Sequence, residues 1–318
     1  MNSDIRPIIW IVHPRNFQDI EKEMPVLKGL PIFLKSLVLI CKSPYKASVF
    51  NENGHARGFI VAVPLLPVFF QKHKLFSAFR LDQAFKLAKE LGAEKVSVGG
   101  MITTIAEKAG LGKKYGVEVF DGTDLLAQIA AQKISQLIKD QGGKIRSIGI
   151  IGATTKTGSR LSKYLSAERI QELHLFAKTE ANVKSLADEC RKNSAVKIID
   201  HVDLSDIGKC DVSILTAFIQ SAGTDIVSDL KRDSFFLSII EPVSPFVYDI
   251  EKRRPDVRLT KGIMIKAPSL SYASLDSTIP SGNAFSCLAE ALVADKAEKS
   301  QGSNNIEEAL RANNFQIS

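Results

Sequence analysis

The stretch "SIGIIGATTKTGSRL", Ser147 to Leu161, narrows the folds open to this chain more than any other. A β-branched run enters Gly152, and a polar segment able to start a helix leaves it. Strand, glycine turn and helix in that order open a dinucleotide-binding α/β unit. There the first glycine makes the turn, the second lets backbone approach the pyrophosphate, and the third lets the helix pack on the strand. Gly152 and Gly158 stand at the first and third places, and Thr155 takes the second. Ala153 and Thr154 complete the loop, whose helix-terminal amides suit an anion. Thr155 adds a β-carbon where the pyrophosphate would come close, and its hydroxyl is a candidate phosphate donor. An ordinary glycine turn between strand and helix is the competing reading.

The segments beyond Leu161 favour the dinucleotide unit. "ELHLFAK", "AVKIID", "DVSILTA", "SFFLSII" and "VRLTKGIMI" read as strands separated by turns or helices. Strands alternating with helices imply an α/β fold with a doubly wound parallel sheet of Rossmann type. The second strand ends at Lys178, near where an acid would bind the ribose of NAD. A cation there favours the 2′-phosphate of NADP, against the alternative of a plain surface lysine. Thr216, at the end of "DVSILTA", is a further candidate cofactor contact.

The chain has 318 residues, enough for two domains, and 45% hydrophobic residues, enough for a real core. Residues 1–122 mix strands ("PIIWIV", "SLVLIC", "ASVF", "GFIVAV", "KVSVGG") with a helix at "LDQAFKLAKELG" and read as an α/β substrate domain. Residues 123–143 read as a bridging helix, 144–298 as the NADP-binding domain, and 299–318 as a polar linker with a short terminal helix. The four cysteines are scattered, so neither a zinc site nor a disulfide framework is indicated, and a reducing cytoplasm is expected. No signal peptide and no run of membrane-spanning length is read. The net charge of +7 suits an acidic partner or is a solvated basic surface; no nucleic-acid motif is found. "VAVPLLPVFFQKHK" fits an acyl tunnel, a membrane-surface contact, or a buried strand and its exit loop.

Several segments, in order, resemble the long-chain acyl-[acyl-carrier-protein] reductases best known from cyanobacteria, which form fatty aldehydes. They are "LGAEKVSVGG" with Gly99-Gly100, "DGTDLLA", "GATTKTGS", "LHLFAK" and "IPSGNAFSCLAEAL". The resemblance runs to about Lys296, and the cysteine segment is its most specific part. The chain differs from the family at Thr155, "EPVSP", "KGIMI" and "DGTD". The resemblance implies that Cys287 accepts the acyl group as a thioester and that NADPH then reduces it to an aldehyde. It also implies an acyl carrier protein, or another acyl-thioester donor, as partner. It places the cofactor on Gly152, Ala153, Thr154 and Gly158, with Lys178 as the basic residue after the second strand.

Read from its own surroundings, Cys287 comes after "PSGN", a credible helix entry, so amide dipoles are expected to lower its thiol pKa. Ala284, Ser286 and Ala289 are small and leave room for an acyl group; core packing is the rival reading. Cys41 reads as core. His13 reads as a structural histidine, or else a proton donor to an aldehyde oxyanion. Two other functions stay open: a non-catalytic homologue that binds acyl groups or a partner, and an NADP-dependent dehydrogenase of shikimate type. The latter needs a lysine–aspartate pair in the first domain, and none is placed by the sequence.

Overall fold

Between Lys144 and Ile263 each short apolar run becomes a strand, and each amphipathic run turns the chain back across the sheet. The computed structural model describes residues 6–192, 194–219, 224–240, 243–273, 280–299 and 316–317. It divides the chain into two units. One is Thr123–Ile263; the other joins Met1–Gly122 to Met264–Gln316. In the first stretch, β1 is Ile8–Val12, β2 Tyr45–Glu52, β3 His55–Ala62, β4 Lys95–Val98 and β5 Glu118–Phe120. The second unit holds β6 Ser147–Ile151, β7 Glu172–Phe176, β8 Lys197–His201, β9 Val212–Leu215, β10 Phe235–Ser238 and β11 Arg258–Lys261. The chain then forms β12 Ile265–Lys266, β13 Leu270–Tyr272 and β14 Asn283–Ala284.

The second unit is a parallel sheet in the order β11-β10-β9-β6-β7-β8. Counted within the unit, that is the 3-2-1-4-5-6 order of the Rossmann fold. Ile148, Ile150, Leu173, Leu175, Val212 and Ile214 are fully buried, because helices on both faces leave central strands no contact with water. Helix Thr123–Asp140, expected as a separate bridge, belongs to this unit. Its Asp124 pairs with Arg160 and its Gln128 Nε2 donates to Tyr164 Oη (3.0 Å), both on the helix Lys156–Leu165 that leaves the glycine loop.

The first unit is a mixed sheet in the order β13-β2-β3-β1-β4-β5. The hairpin β2–β3 turns at Asn53 (φ 51°) and Gly54 (φ 79°), the pair of left-handed residues that a tight hairpin needs. One face is packed by Leu81, Phe85 and Ile102, which meet Ile9, Ile11, Val96 and Val98 of the strands. The helix Ser286–Lys299 packs against β1, β4 and β5.

This overturns one expectation. The cysteine-bearing helix, expected to close the 144–298 domain, lies in the first unit. There it buries Leu288, Ala291 and Leu292, and its far end joins an ionic cluster in which Asp295 pairs with Arg57 and with Lys95 (3.8 Å), and Lys296 with Glu52 (2.6 Å). Burying those charges apart would cost several kcal/mol per ion, about 3–5 for a broken pair. Strand β13 adds to the same sheet beside β2. "SLVLIC" is also not a strand. It lies in the helix Ile32–Cys41, entered from Pro31, and its Cys41 is exposed. The expected linker and terminal helix over 299–318 lie, but for a few residues, outside the described residues.

Candidate functional site

The glycine loop has the shape its sequence implies. Gly152 adopts φ +83°, and a β-carbon there would lie 2.5 Å from Ala217 Cβ. Both facts require glycine. Gly158 faces the strand so closely that a β-carbon would sit 2.3 Å from Gly152 O and 2.9 Å from Ala153 O. These are the tight turn and the close helix–strand contact of a dinucleotide loop.

Thr155 does something the sequence reading missed. Its Oγ1 accepts from Gly158 N (3.0 Å), which makes it the N-cap of the next helix. The same hydroxyl lies 3.1 Å from Thr216 Oγ1. Thr216 Oγ1 donates to Gly152 O (2.8 Å) or Ile151 O (3.0 Å). Thr155 and Thr216 therefore brace the loop, and Thr155 is a helix cap as well as a candidate phosphate donor. Lys178 is exposed just past β7, with no ion-pair partner among the described residues.

The thiol belongs to the first unit. Cys287 is the second residue of its helix and only 4% exposed. A β-carbon on Gly99 would lie 3.1 Å from its Sγ, and Gly122 N donates to Glu290 Oε2 (2.8 Å) one turn further along the helix. The expected lowering of its pKa is reversed: burial pushes the thiol up to about 11. Opposing that shift, the Ser97 hydroxyl, the Leu288 amide and the Trp10 indole favour the thiolate. Ser97 Oγ is buried beside the sulfur and makes no hydrogen bond elsewhere among the described residues. The sequence offered no way to find Trp10 or Ser97, since each reaches the sulfur only through strand pairing.

Room for a substrate is not where the small residues suggested. Ala284 and Ala289 are fully buried in packing. A mainly apolar cavity of about 100 Å³ lies instead beside Trp10, with Ile20, Met24, Leu39 and Phe285 on its apolar wall and Arg15, Asp19 and Glu23 among its polar lining. Trp10 stands 5.9 Å from Phe285 and faces both cavity and sulfur. His13 also lines the cavity, but it shares a hydrogen bond with Pro14 O (3.0 Å) and burial lowers its pKa. "VAVPLLPVFFQKHK" divides: residues 61–66 and Phe70 are buried, while Val68 and residues 71–74 are exposed.

No family model matches the chain, and no curated protein does. Among solved structures, quinate dehydrogenase from Corynebacterium glutamicum in complex with NAD is 14% identical, covering 81% of this chain and 88% of that one, with a TM-score of 0.41. A lactate dehydrogenase from Cryptosporidium parvum is 19% identical over 34% of this chain, with a TM-score of 0.28. Only 41% of that dehydrogenase is matched. Delta(1)-pyrroline-2-carboxylate reductase from Thermococcus litoralis is 17% identical over 40% of each chain, with a TM-score of 0.32.

Among the described residues of the first unit, two lysine–aspartate pairs are present. Lys114–Asp82 (2.5 Å) is on the surface, and Asp82 holds the lysine proton more tightly than usual. Lys95–Asp295 is inside the ionic cluster. Neither lines the cavity. The Cys287 shift makes a checkable prediction. A thiol reagent attacks the thiolate, and a raised pKa leaves little of it at neutral pH. Alkylation of Cys287 by iodoacetamide, read by peptide mass, should therefore be slow at neutral pH and level off only above about pH 11.

Proposed function

We propose that this protein is an NADPH-dependent oxidoreductase that reduces an acyl thioester to an aldehyde through an acyl–Cys287 intermediate. The observation that carries the reading is a single thiol in the first turn of a helix, with hydroxyl and indole donors at its sulfur and a mainly apolar cavity beside the same indole. The second unit supplies what the reaction needs besides a thiol. Gly152 and Gly158 form a loop into which a pyrophosphate fits, and Lys178 stands free where an adenosine 2′-phosphate would be read. When bound, NADPH supplies the hydride.

The chain's own residues do the rest. Cys287 Sγ attacks the thioester carbonyl, its bond to the carrier sulfur breaks, and the thiol proton passes to the departing carrier thiolate. One thioester replaces another, so the exchange is close to isoenergetic. Donors at the sulfur lower the cost of the thiolate at the moment of attack. Trp10 and Phe285 border a cavity with room for the first few carbons of an acyl group, while burial keeps water from hydrolysing the enzyme thioester. The second step consumes one hydride and one proton and returns aldehyde and free Cys287. The donor is proposed to be acyl carrier protein, in keeping with the net charge of +7, and the setting cytoplasmic. Among the described residues no helix is long and apolar enough to cross a membrane.

Replacing Lys178 with Ala should weaken NADPH binding by about 10- to 100-fold, the loss of one charge-assisted contact of about 1.5–3 kcal/mol. NADH binding should hardly change. Fluorescence titration with both nucleotides measures this, and equal losses would remove Lys178 from the 2′-phosphate site.

A further inference from the structure

Two helices of the first unit bury Leu39, Leu81 and Phe85 in the core, yet each also leaves a pair of large apolar side chains in water while burying a cation. Helix Ile32–Cys41 buries Lys35 and leaves Phe33 69% and Leu37 56% exposed. Helix Lys74–Glu90 buries Arg80 and leaves Leu75 90% and Phe79 54% exposed. Phe33 and Leu37 are four residues apart, as are Leu75 and Phe79, so each pair makes a stripe on one helix face. The two helices are tied together, because Arg80 donates to Ile40 O and to Ser43 Oγ (3.4 Å). Val68, on the short helix Pro67–Lys72 that leads into the second stripe, is exposed too. Folded proteins rarely leave so many large apolar side chains together in water without a partner.

The charges say which partner. Residues 26–79 contain seven Lys and Arg (Lys28, Lys35, Lys42, Lys46, Arg57, Lys72, Lys74) and one carboxylate, Glu52. Glu52 is buried and paired with Lys296. Lys28, Lys72 and Lys74 are exposed, with no ion-pair partner among the described residues. Aliphatic and aromatic side chains beside lysines, with no exposed acid in the same stretch, are the pattern of a surface that lies in a lipid interface.

We infer that this face rests on an anionic membrane surface, with Phe33, Leu37, Leu75 and Phe79 entering the interface and Lys28, Lys72 and Lys74 meeting lipid phosphates. The inference does not rest on the proposed reaction, since none of these residues takes part in it. The full chain should co-sediment with vesicles of mixed phosphatidylcholine and phosphatidylglycerol, less so as salt is raised, and only weakly with phosphatidylcholine alone. The double variant Leu37→Asp/Leu75→Asp should partition at least ~10-fold less, with its thermal midpoint unchanged because both side chains are already in water. If that variant folds poorly, Lys72→Glu/Lys74→Glu serves instead and should abolish the preference for phosphatidylglycerol. Equal binding to both vesicle types would overturn the inference, as would binding that neither variant reduces. A dimer that Leu37→Asp/Leu75→Asp converts to monomer in light scattering would assign the face to a second copy of the chain. Failure to bind vesicles, with capture of an acidic acyl carrier protein that the same variant abolishes, would assign it to a protein partner.

Discussion

Cys287→Ala should eliminate both the acyl adduct and aldehyde formation, with turnover falling at least ~100-fold. Intact mass after incubation with acyl-carrier thioesters reads the adduct, and NADPH oxidation reads turnover. The variant should fold, because it deletes one sulfur from a side chain that already packs against Gly99, and it should bind NADPH like the wild type. An adduct that survives the substitution would place the nucleophile elsewhere, and Cys41 is then the next candidate because it is exposed. An intact Cys287 that no thioester acylates would favour a non-catalytic binder. The raised thiol pKa sharpens the test. A thiol at about 11 is not a general-purpose nucleophile, so acylation should depend on substrate engaging the site and not on pH alone.

Gly158→Ala should do the reverse. Its β-carbon would fall 2.3 Å from Gly152 O, 2.8 Å from Thr216 Oγ1 and 2.9 Å from Ala153 O. Two of these are backbone carbonyls of the loop and cannot rotate aside. The helix must move off the strand, which costs about 1–3 kcal/mol, and the amides that would face a pyrophosphate move with it. NADPH affinity should fall at least ~10-fold, read by fluorescence titration, with a lower thermal midpoint. Acylation of Cys287 should persist, because the thiol is in the other unit. The two variants thus separate the half-reactions. Unchanged NADPH affinity in Gly158→Ala would show that the loop is not where the dinucleotide sits.

The second unit was legible in the sequence because its signals are local. Strand, glycine and helix recur within a few residues of one another, and the positive φ of Gly152 and the contacts of Gly158 with Gly152 O and Ala153 O are local, although both glycines also meet the distant Thr216–Ala217 segment. The capping role of Thr155 was missed because a cap and a ligand contact demand the same residue type at nearly the same place. The helix Ile32–Cys41 was misread for a different reason. With Lys35 inside and Phe33 and Leu37 outside, its pattern matches neither a strand nor a water-facing helix. The division of the chain was hidden because its determinants are distant. Asp295 meets Arg57 across 238 positions, and β13 is three residues long. The surroundings of Cys287 were out of reach for the same reason, since Trp10 and Ser97 come from strands far earlier in the chain.

The split first unit also sets an order of events during synthesis. Chains leave the ribosome N-terminus first, and a unit can close only when its last element has emerged. Thr123–Ile263 is continuous, so it can complete its sheet while the rest is still being made. The N-terminal sheet must wait. Until residues 270–299 arrive it lacks its edge strand and the helix that covers Trp10, and Arg57 and Lys95 have no Asp295 to meet. The half made first is therefore the half finished last. A shortening of the C-terminus, which looks like trimming the nucleotide-binding end, would instead leave the opposite end of the chain unable to close.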